Sequence, residues 1–451
     1  MDFGVLAWNL AALKESIQRL FEAQDAQGFA DCAPALHNGR RFIDRVGKSG
    51  FVTPAFKKLS ILGSTGSIGR QCLSVVEALG DRFAVVALAA GSNLDELAGQ
   101  IERHRPEVVS VGDAAKADDL AAKLRAKGIS PLPAIHHGRE GMLAVATHPA
   151  ADTVVSAAVG VVGLQATYEA LKLGKSVALS NKEVLVAAGE LVMAAAQKSA
   201  HPLLPIDSEH NAVHQCLRGG ERGEIRRLVL TASGGPFRKS PLASLKDVTP
   251  EQALAHPNWR MGSRITIDSA TMMNKGFEVI EARWLFGVRP DQIDVLIHPQ
   301  STIHSMVEFV DGSVLAQLGP TDMRMPIQYA LTYPERVASN RVALDWSKLR
   351  RLDLARVSTR RFPCLRLARE AMKKGGALPC ALNAADEVAV AAFLERRLPF
   401  LGIPEVIERV LGRTQGTRFV TMEDVLTADA EARRMAKEEV ERLVMTAAAA
   451  S

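Results

Sequence analysis

An α/β fold is predicted for this chain: a doubly wound parallel sheet first, then a central α/β region with a flexible lid, then a C-terminal α-helical bundle. Three observations point there. Short apolar runs alternate with segments of helical period from Lys57 to about Ile206, and strands joined by helical crossovers form a parallel sheet covered on both faces. A glycine-rich turn, Gly63-Ser-Thr-Gly66-Ser-Ile-Gly69, follows the first run. From about Cys364 onward the helical period dominates.

Size and composition narrow the field. The 451 residues suggest two to four domains, and 47% hydrophobic with 23% charged residues is an ordinary globular balance. Lysine and arginine total 55 against 50 acids, too even for the concentrated basic footprint of a nucleic-acid binder. With 15 Phe, 4 Trp and 3 Tyr, few rings are available to stack bases. Five scattered cysteines without a C-x-x-C pair fit a reducing cytoplasm. The most apolar stretch, Val154 to Leu164, is too short to span a bilayer, so no membrane partner is expected.

Residues 1–56 read as a leader of uncertain order, with one amphipathic stretch from Leu6 to Phe21. Its acids, Asp2, Glu15, Glu22, Asp25, Asp31 and Asp44, argue against a transit peptide; a targeting segment is the alternative reading. The doubly wound region is expected over 57–206. Its strands are placed at Leu59–Gly63, Phe83–Ala89, Glu107–Val111, Thr153–Ala158, Ser176–Ser180 and Leu203–Ile206, with helices at Gln71–Leu79, Asp95–His104 and Lys116–Lys127. A catalytic region is expected over 207–332, a linker over 333–360 and helices over 361–451. The last helix opens with the capping-box pattern Thr421-x-x-Asp424.

Glycine lets a backbone turn sharply and approach a pyrophosphate, whose charge is favoured at the helix N-terminus beyond the turn. The spacing G-x-x-G-x-x-G after a first strand therefore favours dinucleotide binding over a merely tight turn. The second strand ends at Ala90-Gly-Ser-Asn93, without the acid that would grip an NAD ribose, so NADP is allowed. Ser92 and Asn93 offer hydrogen bonds to a 2′-phosphate, yet no Lys or Arg lies between Arg82 and Arg103.

Ligands collect beyond the carboxyl ends of such strands, where two polar strings fall: Ser180-Asn-Lys-Glu183 and Asp207-Ser-Glu-His-Asn211. In an extended segment Asp207 and Glu209 would face one side and share a hard divalent cation; alternatively Asp207 caps a helix and Glu209 is a solvated first-turn acid. His210 and His214 lie four apart but lack the zincin glutamate, and a structural role is preferred. Thr231 to Phe237 suits a phosphate or a plain turn. His256-Pro-Asn-Trp259 carries an exposed-looking Trp between Gly234, Gly235 and Gly262, as a lid would. Asp268 to Glu278 gathers Ser269, Asn274, Lys275 and a third carboxylate, with Met272 and Met273 read as core.

Taken in order, these strings, with Leu296-Ile-His-Pro-Gln-Ser301, Gly312 to Leu318 and Ala381-Leu-Asn-Ala384, closely resemble the 1-deoxy-D-xylulose 5-phosphate reductoisomerase family from about Lys58 to about Met445. The resemblance implies a Rossmann-like NADPH-binding domain, a divalent cation (Mg²⁺ or Mn²⁺, with Co²⁺ a further option), a small phosphorylated sugar as substrate, and a homodimer. It implies catalytic roles for Lys182, Asp207, Glu209 and Glu278, the last three as metal ligands. The substrate would meet Lys182, Ser208, Glu209, Ser233, His256, Trp259, Ser269, Asn274, Lys275 and Glu278. NADPH would meet Gly63, Ser64, Thr65, Gly66, Ser67, Ile68, Gly91, Ser92, Asn93, Asn181, Glu183 and Gly262. Two things depart from the family: Ser92 stands where members commonly carry a basic residue near the 2′-phosphate, and the leader has no counterpart in typical bacterial members. A metal-dependent dehydrogenase without rearrangement and an NADP-sensing binding protein are the competing readings.

Overall fold

The computed structural model describes residues 56–450 except 159, 161, 199–202, 260 and 339–342; the leader and Cys32 lie outside the described residues. The chain is α/β, as its alternating pattern predicts. The first sheet contains β1 (Lys57–Leu62), β2 (Phe83–Ala89), β3 (Val108–Val111), β4 (Ala134–His137), β5 (Thr153–Ser156), β6 (Ser176–Leu179) and β7 (Leu203–Pro205). Their order is β4-β3-β2-β1-β5-β6-β7, and every pairing is parallel. The winding reverses between β1 and β5, which opens a crevice at their carboxyl ends directly above the glycine turn. β4 is absent from the strands that the sequence pattern predicts. It is an exposed edge strand of sequence AIHH, so it carries no apolar run.

Among the described residues this sheet is accompanied by α1 (Ser67–Leu79), α2 (Leu94–His104), α3 (Ala114–Ala126), α4 (Gly138–Ala146), α5 (Val162–Lys172) and α6 (Glu183–Lys198). α1 starts four residues before the expected Gln71, because the glycine turn itself delivers the chain into helix. Its N-cap, Gly66, has no side chain to occupy the first N–H groups, which leaves them for a ligand.

The second sheet comprises β8 (Ile225–Ala232), β9 (Ile293–Ile297), β10 (Ile303–Phe309), β11 (Val314–Leu318) and β12 (Ala355–Arg356), in the order β11-β10-β8-β9-β12. β8 and β9 are parallel and the other pairs antiparallel. β12 falls inside the stretch read as a linker, where two residues pair with β9. Around this sheet lie α7 (Ser208–Cys216), α8 (Pro250–Leu254), α9 (Ser263–Thr271), α10 (Met273–Phe286) and α11 (Arg324–Thr332). α11 returns to the first sheet: its Ile327, Ala330 and Leu331 share a core with Leu59, Ile61 and Leu73.

The chain ends in α12 (Pro363–Lys374), α13 (Leu378–Leu394), α14 (Gly402–Arg413) and α15 (Met422–Ala450). The capping box is formed, with Thr421 N donating to Asp424 Oδ2 at 2.8 Å and Asp424 N to Thr421 Oγ1 at 3.2 Å. These helices pack into one apolar core with the second sheet and one face of the first, so the ligand crevice sits on a continuous hydrophobic support. Cys72, Cys216, Cys364 and Cys380 are buried and free. No helix among the described residues is long and apolar enough to cross a membrane.

Candidate active site

A cavity of about 790 Å³ opens at the carboxyl end of the first sheet, bounded by the start of α1, the loops after β6 and β8, the α7 N-terminus, the 256–262 loop and the α9–α10 junction. That junction depends on one backbone feature. Met272 takes the left-handed conformation at φ 64°, so α9 stops and α10 restarts at once in a new direction. Ser269 on the last turn of α9 and Asn274, Lys275 and Glu278 on the first turns of α10 thereby face the same space. Met272 and Met273 are themselves buried, as core residues.

Asp207, Glu209 and Glu278 converge, each presenting an oxygen within 4.8 Å of the others. They do so differently from the extended-segment expectation: Asp207 precedes α7 and Glu209 lies in its first turn. The cap reading fails too, since Asp207 occupies the N-cap position without a side-chain cap bond; its carboxylate binds Lys182. Lys182 Nζ also donates to Glu278 Oε1 at 3.1 Å, and Lys275 Nζ reaches Glu209 Oε1 at 3.0 Å and Glu278 Oε2.

Three carboxylates against two ammonium groups leave an excess negative charge in a buried place, and hard oxygen donors suit Mg²⁺ or Mn²⁺. Burial, then Glu209, pushes Glu278 up to about 7 despite both lysines. Burial also opposes charge on Asp207, but Lys182 and His210 outweigh it and hold that carboxyl at about 2. Asn274 Nδ2 donates to Glu278 Oε1 at 2.8 Å, which leaves its buried Oδ1 without a partner, an acceptor placed for a substrate hydroxyl.

The glycine turn leaves α1 without a side-chain cap, and the turn's own packing demands glycine. A Cβ on Gly63 (φ +82°) would lie 2.6 Å from Ala157 O, and one on Gly69 would lie 2.3 Å from Gly63 O and 2.5 Å from Ser64 Cα. Ser67 and Ile68 line the cavity. Gly63 N and Ser64 N both donate to Ala89 O at 2.9 Å, which fixes the turn beside the Gly91–Asn93 loop.

In the lid segment His256 Nδ1 accepts from Asn258 N (3.2 Å) and Trp259 N (2.9 Å), so its Nε2 carries the proton and donates to Ser233 Oγ at 3.1 Å. Asn258 Nδ2 donates to Pro299 O at 2.6 Å and Ser301 Oγ at 3.0 Å. Trp259 is half-buried rather than exposed, its ring 6.4 Å from that of His304.

Other predicted residues lie outside this cavity. Asn181 Nδ2 donates to Ala158 O (2.5 Å) and Gly160 O (2.9 Å), and Glu183 accepts from Arg264 Nη1 at 2.5 Å; their neighbours Ser180 and Lys182 line it instead. Gly91, Ser92 and Asn93 are not among its walls either. His210 and His214 do not converge: His210 Nε2 bonds Glu278 O at 2.8 Å and His214 Nδ1 bonds Tyr329 Oη at 2.9 Å.

Sequence reading missed Arg70, Gln71, His304, Met323 and Arg324, all in the cavity wall. A signal existed only for α1, where Ser67, Gln71 and Ser74 recur at helical spacing opposite the apolar Cys72, Leu73, Val75 and Val76.

Comparison with known proteins finds one enzyme in three stretches of the chain. Residues 59–189 match the 1-deoxy-D-xylulose 5-phosphate reductoisomerase family, and 203–286 and 318–435 match its two C-terminal domain families. The reductoisomerase of Solibacter usitatus is 51% identical over 384 residues, covering 85% of this chain and 97% of the relative; that of Heliobacterium modesticaldum is 52% identical over 384 residues with the same coverage. Among solved structures, the Zymomonas mobilis reductoisomerase in complex with NADPH superposes with a TM-score of 0.80 at 43% identity, covering 86% of this chain and 99% of that one. A reductoisomerase in complex with NADPH, fosmidomycin and magnesium gives a TM-score of 0.81 at 39% identity, again over 86% and 99%.

Proposed function

The chain belongs to the 1-deoxy-D-xylulose 5-phosphate reductoisomerase family, and from that premise we propose how its residues divide the work. The enzyme rearranges and reduces 1-deoxy-D-xylulose 5-phosphate to 2-C-methyl-D-erythritol 4-phosphate, using NADPH and a divalent cation, in isoprenoid precursor synthesis. When bound, the cation polarises the substrate carbonyl and neutralises alkoxide charge, and NADPH supplies the hydride.

Asp207, Glu209 and Glu278 hold the cation. Lys182 and Lys275 keep these carboxylates gathered, and Lys182, Ser208 and the Asn274 amide orient the sugar oxygens. Ser233, Ser269, Asn274 and Lys275 receive the phosphate end and its neighbouring hydroxyl, and His256 and Trp259 cover the substrate and exclude water. The turn from Gly63 to Ile68, with Gly91, Ser92, Asn93, Asn181, Glu183 and Gly262, holds NADPH. The division follows the sheets: 57–206 binds the cofactor, 207–332 carries the metal and substrate groups, and 361–451 is the helical support, reached through 333–360.

The observation that carries this reading is the meeting of three carboxylate oxygens within 4.8 Å in the same cavity as the glycine turn's helix. It is tested by NADPH oxidation with product identification, with EDTA and with added Mn²⁺. Metal-independent oxidation, or oxidation without a new carbon skeleton, overturns it.

We also propose a cytoplasmic homodimer. The edge strand β11 supports a dimer, because it leaves Val314 and Leu315 51% and 40% exposed, a template for pairing unless a second copy covers it. A solution mass near twice 48.5 kDa checks this.

A further inference from the structure

Enzymes that use NADP distinguish it from NAD at the ribose 2′ position, beside the loop after the second strand, where an acid selects the hydroxyl and a cation the phosphate. Here that loop, Ala90-Gly91-Ser92-Asn93, has neither. The neighbouring turn supplies the missing charge. Gly112 N, just past β3, donates to Gly91 O at 2.9 Å, so the β3–α3 turn lies directly on the β2–α2 turn. A Cβ at Gly112 would meet Gly91 O at 3.0 Å and Lys116 Cδ at 3.8 Å. The stem of Lys116 thus runs over the contact between the two loops. Its ammonium, partly exposed, is paired with Asp113.

We infer that Lys116, on the first turn of α3, carries the charge that selects the NADPH 2′-phosphate, in place of the residue that Ser92 does not provide. Two helix N-termini reinforce it. Asn93 caps α2 through Glu96 N at 3.2 Å, and Asp113 Oδ1 caps α3 through Lys116 N at 2.9 Å, so both dipoles present their positive ends to the paired turns. Asp113 is the built-in competitor: an arriving phosphate exchanges with its Oδ2 for the ammonium and meets its negative charge. Lys116 is a specificity-determining residue and is remote from the reacting atoms. The inference rests on NADPH being the cofactor.

The test is calorimetric titration of the full chain with NADPH, NADH, 2′,5′-ADP and 5′-AMP. K116A is expected to weaken NADPH and 2′,5′-ADP about tenfold, through loss of a charge-assisted contact, with NADH and 5′-AMP unchanged. D113N, which keeps the capping oxygen, should tighten the two phosphorylated ligands several-fold. S92K in the K116A background should restore them. K127A, at the far end of α3, should leave the NADPH to NADH ratio unaltered while changing the net charge by the same amount. Equal weakening of NADPH and NADH by K116A, or no weakening of either, overturns the inference; failure of the unaltered chain to bind NADPH would strike the cofactor reading instead.

Discussion

Glu278 Oε1 accepts a hydrogen bond from Lys182 Nζ at 3.1 Å across 96 positions of chain, while its other oxygen holds Lys275. One carboxylate therefore unites two buried ammonium groups with two further acids, Asp207 and Glu209. E278Q keeps the volume but removes an anionic ligand and turns an amide toward the lysines. Because groups that only orient metal ligands cost 10–100-fold when lost, the ligand itself should cost about 100-fold or more in kcat/KM. Mn²⁺ affinity, measured by titration without substrate, should fall with it. Unaltered Mn²⁺ affinity would remove Glu278 from the ligand set.

His256 joins the lid to the Ser233 loop through Nε2 and folds the lid's own backbone onto its ring through Nδ1, and only its neutral form can do the second, because Nδ1 there accepts two backbone N–H groups. Burial holds its pKa below the ordinary 6.5. A depressed histidine contributes order that is complete above the unfolded value and is lost as pH falls through the folded one, so lid order should fade with acid below about 6.5. Trp259 fluorescence and the substrate KM report this: KM rises toward pH 5 in the unaltered enzyme. H256N, with a side-chain acceptor but no titration, should flatten that rise. A KM that climbs identically in H256N would assign the effect to another group.

How far these arrangements were legible in the sequence depends on whether the cause is local. The first sheet was legible because Leu59, Val85, Val109 and Val155 sit in apolar runs between helical segments, whereas β4 hid because an exposed edge strand needs no such run. The carboxylate trio emerged only from several matching strings, since Asp207 alone had the look of a helix cap. Nothing local marks Met272 as the left-handed residue that aims Glu278, nor brings His304 to Trp259. Those positions are set by tertiary packing, as is the overlay of Gly112 on Gly91.

The glycine turn offers a stricter test than its motif. G69A introduces one methyl group at 2.3 Å from Gly63 O and 2.5 Å from Ser64 Cα, both backbone atoms that no side-chain rotation can clear. The turn must shift, and α1 with it. G69A should lose at least tenfold in NADPH affinity and about 1–3 kcal/mol in stability, by ligand titration and urea unfolding. At Gly91, where an added Cβ meets nothing within 4 Å, alanine should cost far less stability. Equal costs at the two positions would contradict this geometry.

The last prediction concerns a buried acid pair behind the lid. Asp268 on α9 and Asp386 on α13 lie near Arg264, each with a contact of 3.8 Å to its guanidinium; Arg264 also pairs with Glu183 and Glu387. Asp268 Oδ1 and both Asp386 oxygens meet no hydrogen-bond donor, so a proton held between the two carboxyls relieves both. Burial first, against the pull of Arg264, pushes Asp268 up to about 6, and burial with the Asp268 charge pushes Asp386 up as well. Since the native state retains protons that the unfolded chain gives up near 3.8, this pair favours folding at low pH, and that contribution fades as pH rises toward 6 and beyond. D386N replaces the shared proton with an amide donor and removes a like charge. At pH 8 it should therefore stabilise the enzyme by on the order of 1–3 kcal/mol, with a smaller effect at pH 5. R264A acts the other way: it strands four acids and should cost about 3–5 kcal/mol. Urea unfolding of the three proteins at both pH values decides the matter. A D386N variant destabilised equally at pH 5 and pH 8 would mean that Asp386 holds its place as a charged partner of Arg264 and shares no proton.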